Sequence, residues 1–435
     1  MPTDSLLRRF LEKHNGWVLS FIAGIAAFGT YSCMYAFRKA FAAGTYSGEA
    51  FLGVSYKMWL IIAQVLGYML SKFIGIRYVS GMRHEHRSRS LLTLIACSWV
   101  SLLGFALVPA PYNILFLFLN GIPLGMIWGL VFSYLEGRKN TELMGAIMSV
   151  SLVFASGFVK TVGRFLLQEY HVQEYWMPFV TGLIFVLPLC LFVGLLQQIP
   201  PPTEEDKALR TERKPMSRTD QRRFIADFRP GIILIVLIYL LLTIARDMRD
   251  NFEVEIWSDL GFGGQPGIFT RTDFPIALCV LVMMAVLIRV KDNLRAFMLI
   301  HYMILSGLLT VLLATLLFDN GYIGAISWMS FAGLGLFMAY IPYNCIYFER
   351  LIASFRYTSN VGFVMYIADA TGYLGTVSIL LVKQFTSLQV SWLHFFKSSL
   401  VAVAILGIIC VWLSLVYFRK KYARTFSSIV SIGQE

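Results

Sequence analysis

Long runs of apolar residues alternate with short polar segments along the whole chain. Each run is about 20 residues long, the length that an α-helix needs to cross the hydrocarbon core of a bilayer. A transmembrane β-strand would need only about ten residues of alternating polarity, and that pattern is absent from the sequence. The apolar runs predict twelve membrane-spanning helices, at about residues 17–42, 55–75, 89–109, 112–134, 142–167, 176–197, 230–252, 272–290, 295–318, 322–347, 358–383 and 394–418.

The composition indicates the same class of protein. Of the 435 residues, 57% are hydrophobic and only 14% are charged, whereas a soluble domain carries about 25% charged residues. Lipid contains no water to satisfy backbone N–H and C=O groups, so only helices and closed barrels span it. We therefore predict an all-α polytopic membrane protein.

The basic residues predict an orientation. Lys and Arg concentrate on the cytoplasmic side of membrane proteins. If the N-terminus is cytoplasmic, most of the 37 Lys and Arg residues fall in cytoplasmic loops, and the C-terminus is cytoplasmic as well. The net charge of +12 then needs no nucleic-acid partner. The expected partners are the lipid bilayer and a small solute, with no obligatory protein partner evident.

An internal repeat divides the helices six and six. Arg38-Lys39-Ala40-Phe41 in the first span corresponds to Arg249-Asp250-Asn251-Phe252 in the seventh, and similar matches relate spans 4 and 10 and spans 5 and 11 at nearly constant offsets. We predict an N-terminal half at 1–197, a basic cytoplasmic linker at 198–229 and a C-terminal half at 230–435. The linker is interpreted as a solvated connection, with binding to anionic lipid as the alternative. Two pseudo-symmetric halves of six helices are the layout of the major facilitator superfamily, in which the substrate lies between the halves.

Charged residues inside the predicted spans indicate where the function resides. Each costs roughly 2.5–3.5 kcal/mol to insert at the helix centre, so such residues usually face a cavity or a partner. The candidates are Arg38, Lys39, Lys72, Lys160, Arg164, Arg246, Asp247, Arg249, Asp250 and Asp369.

Helical spacing collects the cations into one candidate site. Tyr31, Tyr35 and Arg38 share a face of the first span, because they stand at i, i+4 and i+7. Cations from four helices would make a positive cavity that attracts an anion, and the planar fork of arginine binds phosphate or carboxylate oxygens in pairs. The predicted substrate-binding residues are Arg38, Lys72, Lys160, Arg249 or Arg246, Tyr31, Tyr35 and Asn344.

Other interpretations of these residues remain open at this stage. Arg246 with Asp250, and Arg249 with Glu253, are i,i+4 pairs that could neutralise each other. Asp369 is either the structural partner of a buried cation or a carboxylate that carries a coupling proton. Asn344, close to Pro342, could contact the substrate or satisfy the helix backbone.

Two short motifs resemble the organophosphate:phosphate antiporters, the sugar-phosphate and glycerol-phosphate permeases. They are Tyr31-x3-Tyr35-x2-Arg38-Lys39-x-Phe41 in the first span and Tyr68-x2-Ser71-Lys72-Phe73-x-Gly75 in the second. The resemblance implies that Arg38 and an arginine of span 7, Arg249 or Arg246, bind a phosphate group, with Lys72 nearby. The chain departs from that family at Gly81, where the family has an aspartate, and in span 5, where Lys160 and Arg164 replace a histidine.

The sequence therefore predicts a transporter that works by alternating access and moves a small anionic, phosphorylated organic solute, with exchange against phosphate as one form of coupling. One alternative is a proton-coupled transporter of a non-phosphorylated solute that uses Asp369; another is a transporter-like receptor or scaffold without flux. The sequence shows no nucleophile–base pair, metal-ligand cluster or Walker motif, so we expect no enzymatic activity, no cofactor and no metal site. The expected location is the cytoplasmic (inner) membrane of a bacterium.

Overall fold

The computed structural model describes residues 6–13, 16–80, 82, 84–203, 206, 218–355, 362–385 and 390–432. Nearly all of them are helical; a two-residue hairpin, β1 (Ala50–Phe51) with β2 (Val54–Ser55), is antiparallel. Residues 204–205 and 207–217 of the predicted linker and residues 358–361 of the predicted eleventh span lie outside the described residues.

Eight helices cover the first half of the sequence. The fourth predicted span is divided in two, α5 and α6, close to Pro123, whose ring and missing N–H disrupt a helix interior. A short 3₁₀ helix at Ala40–Ala43 follows α2. The helices are α1 (Leu6–Lys13), α2 (Trp17–Arg38), α3 (Tyr56–Ser80), α4 (Arg87–Leu107), α5 (Ile114–Leu124), α6 (Ile127–Leu135), α7 (Thr141–Gln168) and α8 (Met177–Gln198).

Seven helices are described in the second half. Each of the predicted spans 7 to 12 corresponds to one of them, and a short additional helix, α13, follows the tenth span. The helices are α9 (Arg218–Asp259), α10 (Ile268–Ile288), α11 (Asn293–Asp319), α12 (Ala325–Cys345), α13 (Tyr347–Phe355), α14 (Gly362–Phe385) and α15 (Trp392–Ile432).

Among the described residues, ten helices are long and apolar enough to cross a membrane. The other two predicted spans correspond to α3 and α14, which are helices of 25 and 24 residues. Large apolar side chains such as Leu187, Val286 and Trp412 are more than half exposed, as expected for a surface that faces lipid rather than water. The chain is an all-α polytopic membrane protein.

Helix α9 begins within the segment predicted to be linker. Residues 218–229 form the first turns of this helix, and the linker at 198–229 stays a prediction. The helix begins this early because of a local apolar stripe: Phe224 and Phe228 stand at i and i+4 and are buried. Their rings lie 5.0 Å apart, and Phe228 also packs against Phe355.

The chain divides into two compact units. The first contains Met1–Arg210, Met248–Val282 and Val377–Leu393; the second contains Thr211–Asp247, Met283–Thr376 and His394–Glu435. Two segments from the second half of the sequence therefore pack with the first six spans. The division into halves at 1–197 and 230–435 stays a prediction about the repeat.

Glycines allow close helix contacts within each unit. In the first, a Cβ at Gly121 on α5 would lie 2.4 Å from the carbonyl oxygen of Gln64 on α3, and one at Gly67 would lie 2.1 Å from Phe118 O. In the second, a Cβ at Gly372 of α14 would lie 3.0 Å from Thr243 Cβ, and one at Gly375 would lie 3.2 Å from Leu240 Cγ of α9, both closer than an ordinary van der Waals contact. Small residues let helix backbones approach closely in membranes.

Gly121→Ala should therefore destabilise the first unit by about 1–3 kcal/mol, because the added methyl group overpacks against a backbone carbonyl that cannot move alone. The measurement is the free energy of unfolding in mixed micelles titrated with a denaturing detergent. Gly194→Ala in α8 is the matched control, since a Cβ there meets nothing within 4 Å, and an alanine in a helix is favoured over glycine. Equal stability of the two variants would contradict the packing argument.

Candidate functional site

Two basic side chains contact one tyrosine ring in the first unit. The guanidinium carbon of Arg38 lies 4.0 Å from the centroid of the Tyr68 ring, and the Nζ of Lys72 lies 5.2 Å from it. Both distances are within the range of a cation–π interaction. We call Arg38, Tyr68 and Lys72 the Tyr68 group; it joins the end of α2 to the middle of α3.

A buried polar network fixes the backbone that carries Arg38. The side chain of Gln64 donates to the carbonyl oxygen of Arg38 at 2.7 Å, and Asn120 donates to the carbonyl oxygen of Phe37 at 3.0 Å. Gln64 also donates to Asn120 at 2.8 Å. These bonds satisfy carbonyls that the end of α2 leaves without intrahelical partners. They hold the last turn of α2 in place, and with it the starting position of the Arg38 side chain.

The face of α2 that carries Arg38 is lined by the aromatic side chains of Tyr31 and Tyr35, as the helical spacing predicts. The ring of Tyr31 contacts Tyr35 and Trp128 edge to face, with centroids 5.6 and 4.9 Å apart. Arg38 also lies 5.8 Å from the Tyr35 ring. The structure therefore brings four of the predicted substrate-binding residues together: Tyr31, Tyr35, Arg38 and Lys72.

A second set of charges in the first unit alternates in sign. It connects the residue after α2 with α7, α9 and α10, and all of its members except Glu253, which directly follows the seventh span, come from predicted spans. In order of contact, the members of this ion-pair chain are Lys39, Asp250, Lys160, Glu253, Arg249 and Asp273.

The first links of the ion-pair chain are short. The Nζ of Lys39 lies 2.6 Å from Asp250 Oδ2. The Nζ of Lys160 lies 3.3 Å from Asp250 Oδ1 and 2.5 Å from Glu253 Oε2. Lys39 also donates to the side-chain oxygen of Asn251 at 2.6 Å, and the Ser156 hydroxyl donates to Asp250 Oδ1. Lys39, Asp250 and Lys160 are therefore each held by more than one partner.

Asp273 is the last member of the ion-pair chain. Arg249 Nη2 lies 2.7 Å from Asp273 Oδ1 and 3.4 Å from Glu253 Oε1. The described part of the chain offers no hydrogen-bond donor to the buried Asp273 Oδ2, which lies 2.2 Å from where a Cβ of Gly157 would be. Glycine at 157 is thus what makes room for this carboxylate beside α7.

The ion-pair chain contains three cations and three anions. Lys160 and Arg249 are 1% and 3% exposed, and Glu253 and Asp273 are 0% and 1% exposed, so these charges are stabilised by one another rather than by water. Lys160 and Arg249 each contact two carboxylates in this structure. The Arg249–Glu253 pair that the sequence offered is formed, whereas the roles of Asp273 and Lys39 were missed because their partners are distant in sequence.

A further ion pair, between Lys57 and Glu255, links α3 and α9. The Nζ of Lys57, at the start of α3, lies 2.5 Å from Glu255 Oε1 and donates to the carbonyl oxygen of Ala42 at 3.1 Å. It links α3 to the last turns of α9. Together with the ion-pair chain, it ties helices from both halves of the sequence within the first unit.

The second unit holds the remaining candidates in a hydrogen-bonded network. Asp369 Oδ1 accepts from the Tyr239 hydroxyl at 2.5 Å, and that hydroxyl lies 3.0 Å from the Tyr340 hydroxyl. Arg246 donates to the Tyr340 hydroxyl at 2.5 Å and lies 2.5 Å from Asp247 Oδ1. We call these five residues the Asp369 network. Arg246 contacts Asp247, not the Asp250 that the i,i+4 spacing offered.

Asn344 makes a local contact. Its side-chain amide donates to the carbonyl oxygen of Tyr340, one turn earlier in α12, at 3.3 Å. Asn344 is thus attached to the backbone of the helix that supplies Tyr340 to the Asp369 network.

No group of three or more His, Cys, Asp or Glu residues within the described ranges is arranged to hold a metal ion. The acids of the ion-pair chain alternate with cations and are paired with them. The chemistry available at these sites is charge pairing, hydrogen bonding and stacking on aromatic rings.

The comparisons with known proteins identify the family and the fold. Residues 40–421 match the family DUF5690, described as a family of unknown function, and the chain belongs to that family. No curated protein matches the sequence.

Solved structures of transporters share the fold. The crystal structure of the nucleoside transporter NupG has a TM-score of 0.58 at 12% identity, covering 92% of this chain and 99% of that one; a structure of a point mutant of NupG also has a TM-score of 0.58. A POT family transporter, crystallised with a thioalcohol-conjugated peptide, has a TM-score of 0.56 at 13% identity, covering 95% of this chain and 96% of that one. The fold is therefore of the major facilitator type, and at such low identity the likeness concerns the fold alone.

Proposed function

We propose that the protein is a secondary active transporter that moves a small phosphorylated organic anion by alternating access, in exchange for phosphate. The observation that carries this proposal is the Tyr68 group, in which Arg38 and Lys72 contact the same aromatic ring. Arginine presents a planar fork that suits phosphate oxygens, and lysine adds a second positive charge. The fold shared with solved transporters supports transport as the class of activity.

The neighbouring aromatic face suits the organic part of such a solute. Tyr31 and Tyr35 lie on the same side of α2 as Arg38, and Trp128 packs against Tyr31. Ligand sites are typically lined by apolar and aromatic groups with a few placed polar ones. An anion with a carbon skeleton would place its charge at the Tyr68 group and its body along this face.

We assign a different task to Lys160 and Arg249. Both are neutralised in the ion-pair chain, so they contribute to holding helices together in this state rather than to a free positive charge. A conformational change that separates these helices would break the ion pairs. Alternating access then requires that the free-energy cost of breaking them be offset by contacts made in the alternative conformation. The cations of the ion-pair chain become available to an anion only in that alternative conformation.

The binding step can be tested without transport. Purified protein in detergent should be stabilised against thermal unfolding by inorganic phosphate and by sugar phosphates, because a ligand that binds only the folded state raises its apparent stability. Sulfate and the parent sugars serve as controls for charge and for carbon skeleton. A folded protein that no phosphate compound stabilises would overturn phosphate as a substrate while leaving the transporter fold intact.

A second candidate function is proton-coupled transport through Asp369. The Asp369 network favours it, because ionisable residues buried among membrane helices commonly mark proton pathways, and this carboxylate is linked through two tyrosines to Arg246. Anion exchange assigns Asp369 a structural role instead: it accepts the Tyr239 hydroxyl and so orients Tyr340 towards Arg246.

Asp369→Asn separates the two candidates. Under exchange, the amide still accepts from Tyr239, and the rate of phosphate exchange should fall no more than about threefold, corresponding to less than about 1 kcal/mol. Under proton coupling, uptake driven by a proton gradient should disappear while exchange at equal pH persists. The measurement is radiolabelled uptake into proteoliposomes with and without an imposed gradient, and Asp319→Asn on α11, at an exposed ion pair, is the control.

The proposed location is a bacterial cytoplasmic membrane with both termini on the cytoplasmic side. Support comes from the basic residues that flank the spans, such as Arg87 and Arg89 at the start of α4 and Arg419 to Arg424 near the end of α15. These positions follow the positive-inside rule.

A further inference from the structure

A basic cavity lies near the C-terminal end of α15 in the second unit. Its volume is about 320 Å³ and its lining residues come from two turns of this helix. They are Tyr417, Lys420, Lys421, Arg424 and Thr425. Three of the five are cationic, so the cavity is suited to an anion.

The first segment of α9 forms a neighbouring surface. The Nζ of Lys421 donates to the carbonyl oxygen of Asp227 at 2.5 Å and lies 5.0 Å from the ring of Phe228. The hydroxyl of Tyr417 donates to the same carbonyl at 3.4 Å. Lys421 is therefore held in place by α9. Lys420 and Arg424 are exposed. The basic side chains of the cavity outnumber the neighbouring carboxylate of Asp227.

An apolar track leads along α15 to this cavity. Leu406, Ile409 and Leu413 are 51%, 51% and 50% exposed, although each is a large apolar side chain. Lys420 and Arg424 continue the same face, because spacings of three, four and seven residues keep side chains on one side of a helix. One face of α15 therefore changes from apolar to basic along its length.

The distances match the structure of a bilayer leaflet. At about 1.5 Å per residue, Lys420 stands roughly 10 Å beyond Leu413 along the helix axis. A step of that length from a residue just inside the hydrocarbon core ends in the headgroup layer, which is about 5–8 Å thick. Trp412, 56% exposed, is adjacent to Leu413 in sequence, and tryptophan is enriched at membrane boundaries.

We infer that this face of α15 binds an anionic phospholipid, with its phosphate headgroup in the cavity at Lys420, Lys421 and Arg424 and an acyl chain along Leu413, Ile409 and Leu406. The site is separate from the Tyr68 group and does not depend on the proposed transport activity.

The test is native mass spectrometry of the purified full-length protein with phosphatidylglycerol and phosphatidylcholine as competing probes. The wild type should retain one phosphatidylglycerol in preference to phosphatidylcholine. Lys420→Gln combined with Arg424→Gln should weaken phosphatidylglycerol binding about 30-fold, because each surface cation contributes about fivefold to attraction for anionic lipid.

Arg419→Gln is the matched control. Arg419 is adjacent in sequence, but its guanidinium donates to the Tyr302 hydroxyl and it is not among the residues that line the cavity. Its replacement should leave phosphatidylglycerol binding within about twofold of the wild type. An equal loss in the Arg419 variant would overturn the proposal, because the attraction would then be general to the basic end of α15.

Two further arms address the source of the phosphate and the apolar track. Glycerol phosphate, which has the headgroup chemistry without acyl chains, should not displace the lipid; displacement at equal concentration would show a site for a free phosphate ester and contradict lipid binding.

Ile409→Ser and Leu413→Ser place a hydroxyl on the apolar track, and each should weaken lipid binding. Unchanged binding in both serine variants would contradict the placement of the acyl chain. Circular dichroism of every variant confirms that lost binding is not lost folding.

Discussion

Replacing Arg38 by alanine is expected to weaken binding of a phosphate ester by about 10- to 100-fold. The substitution removes charge-assisted hydrogen bonds, each of which contributes about 1.5–3 kcal/mol. The Arg38 backbone is held by Gln64 and that of Phe37 by Asn120, so the end of α2 should keep its position. The measurement is the dissociation constant by isothermal titration calorimetry of the purified protein.

Two other substitutions make the result specific. Arg38→Lys keeps the charge but loses the planar fork and its stacking on Tyr68, so it should restore only a small part of the affinity. Arg89→Ala removes a cation from an exposed position on α4 and should leave the affinity unchanged. If Arg38→Ala and Arg89→Ala had the same effect, the Tyr68 group would not be the binding site.

Replacing Lys160 by alanine is expected to destabilise the protein by about 3–5 kcal/mol. Lys160 lies between Asp250 and Glu253, and its removal leaves the buried carboxylate of Glu253 and the partly exposed carboxylate of Asp250 with fewer positive partners. Its Nζ also donates to the carbonyl oxygen of Asp250 at 2.9 Å, a bond that the substitution also removes. The free energy of unfolding in mixed micelles measures the effect.

A double-mutant cycle tests whether the loss belongs to the pair. Lys160→Met combined with Glu253→Leu removes both buried charges, and the double variant should be less destabilised than the sum of the single ones. Arg271→Ala at an exposed position of α10 is the control and should change stability by less than about 0.5 kcal/mol. Additive losses in the cycle would show that Lys160 and Glu253 do not depend on each other.

The helices that match the predicted spans could be predicted from the sequence, because each apolar run has the length that a membrane-spanning helix needs. The path from Tyr31 to Arg38 along one face of α2 was predictable for the same reason, since helical spacing is local. Two helices extend beyond the predicted spans, in segments whose sequence is amphipathic rather than uniformly apolar. Helix α9 begins at Arg218 because Phe224 and Phe228 bury one side of a charged segment, and α15 continues past residue 418 as a basic helix.

The ion-pair chain could not be predicted from local spacing. Lys39 and Asp250, or Lys160 and Glu253, meet only after helices from distant parts of the sequence have packed. The Arg249–Glu253 pair was available as an i,i+4 spacing, but nothing local indicated that Asp273 would be its second partner. The glycine at position 157 is explained only by the structure, in which the absence of a side chain leaves space for the carboxylate of Asp273.

Counterflow of radiolabelled phosphate in proteoliposomes tests the central claim most directly. Vesicles containing the wild type or Arg38→Ala are preloaded with phosphate, and uptake is followed with and without a proton gradient. We expect exchange that requires Arg38, is independent of the gradient and is inhibited by sugar phosphates. No exchange by a folded wild type, or uptake that follows the gradient and persists in Arg38→Ala, would contradict it.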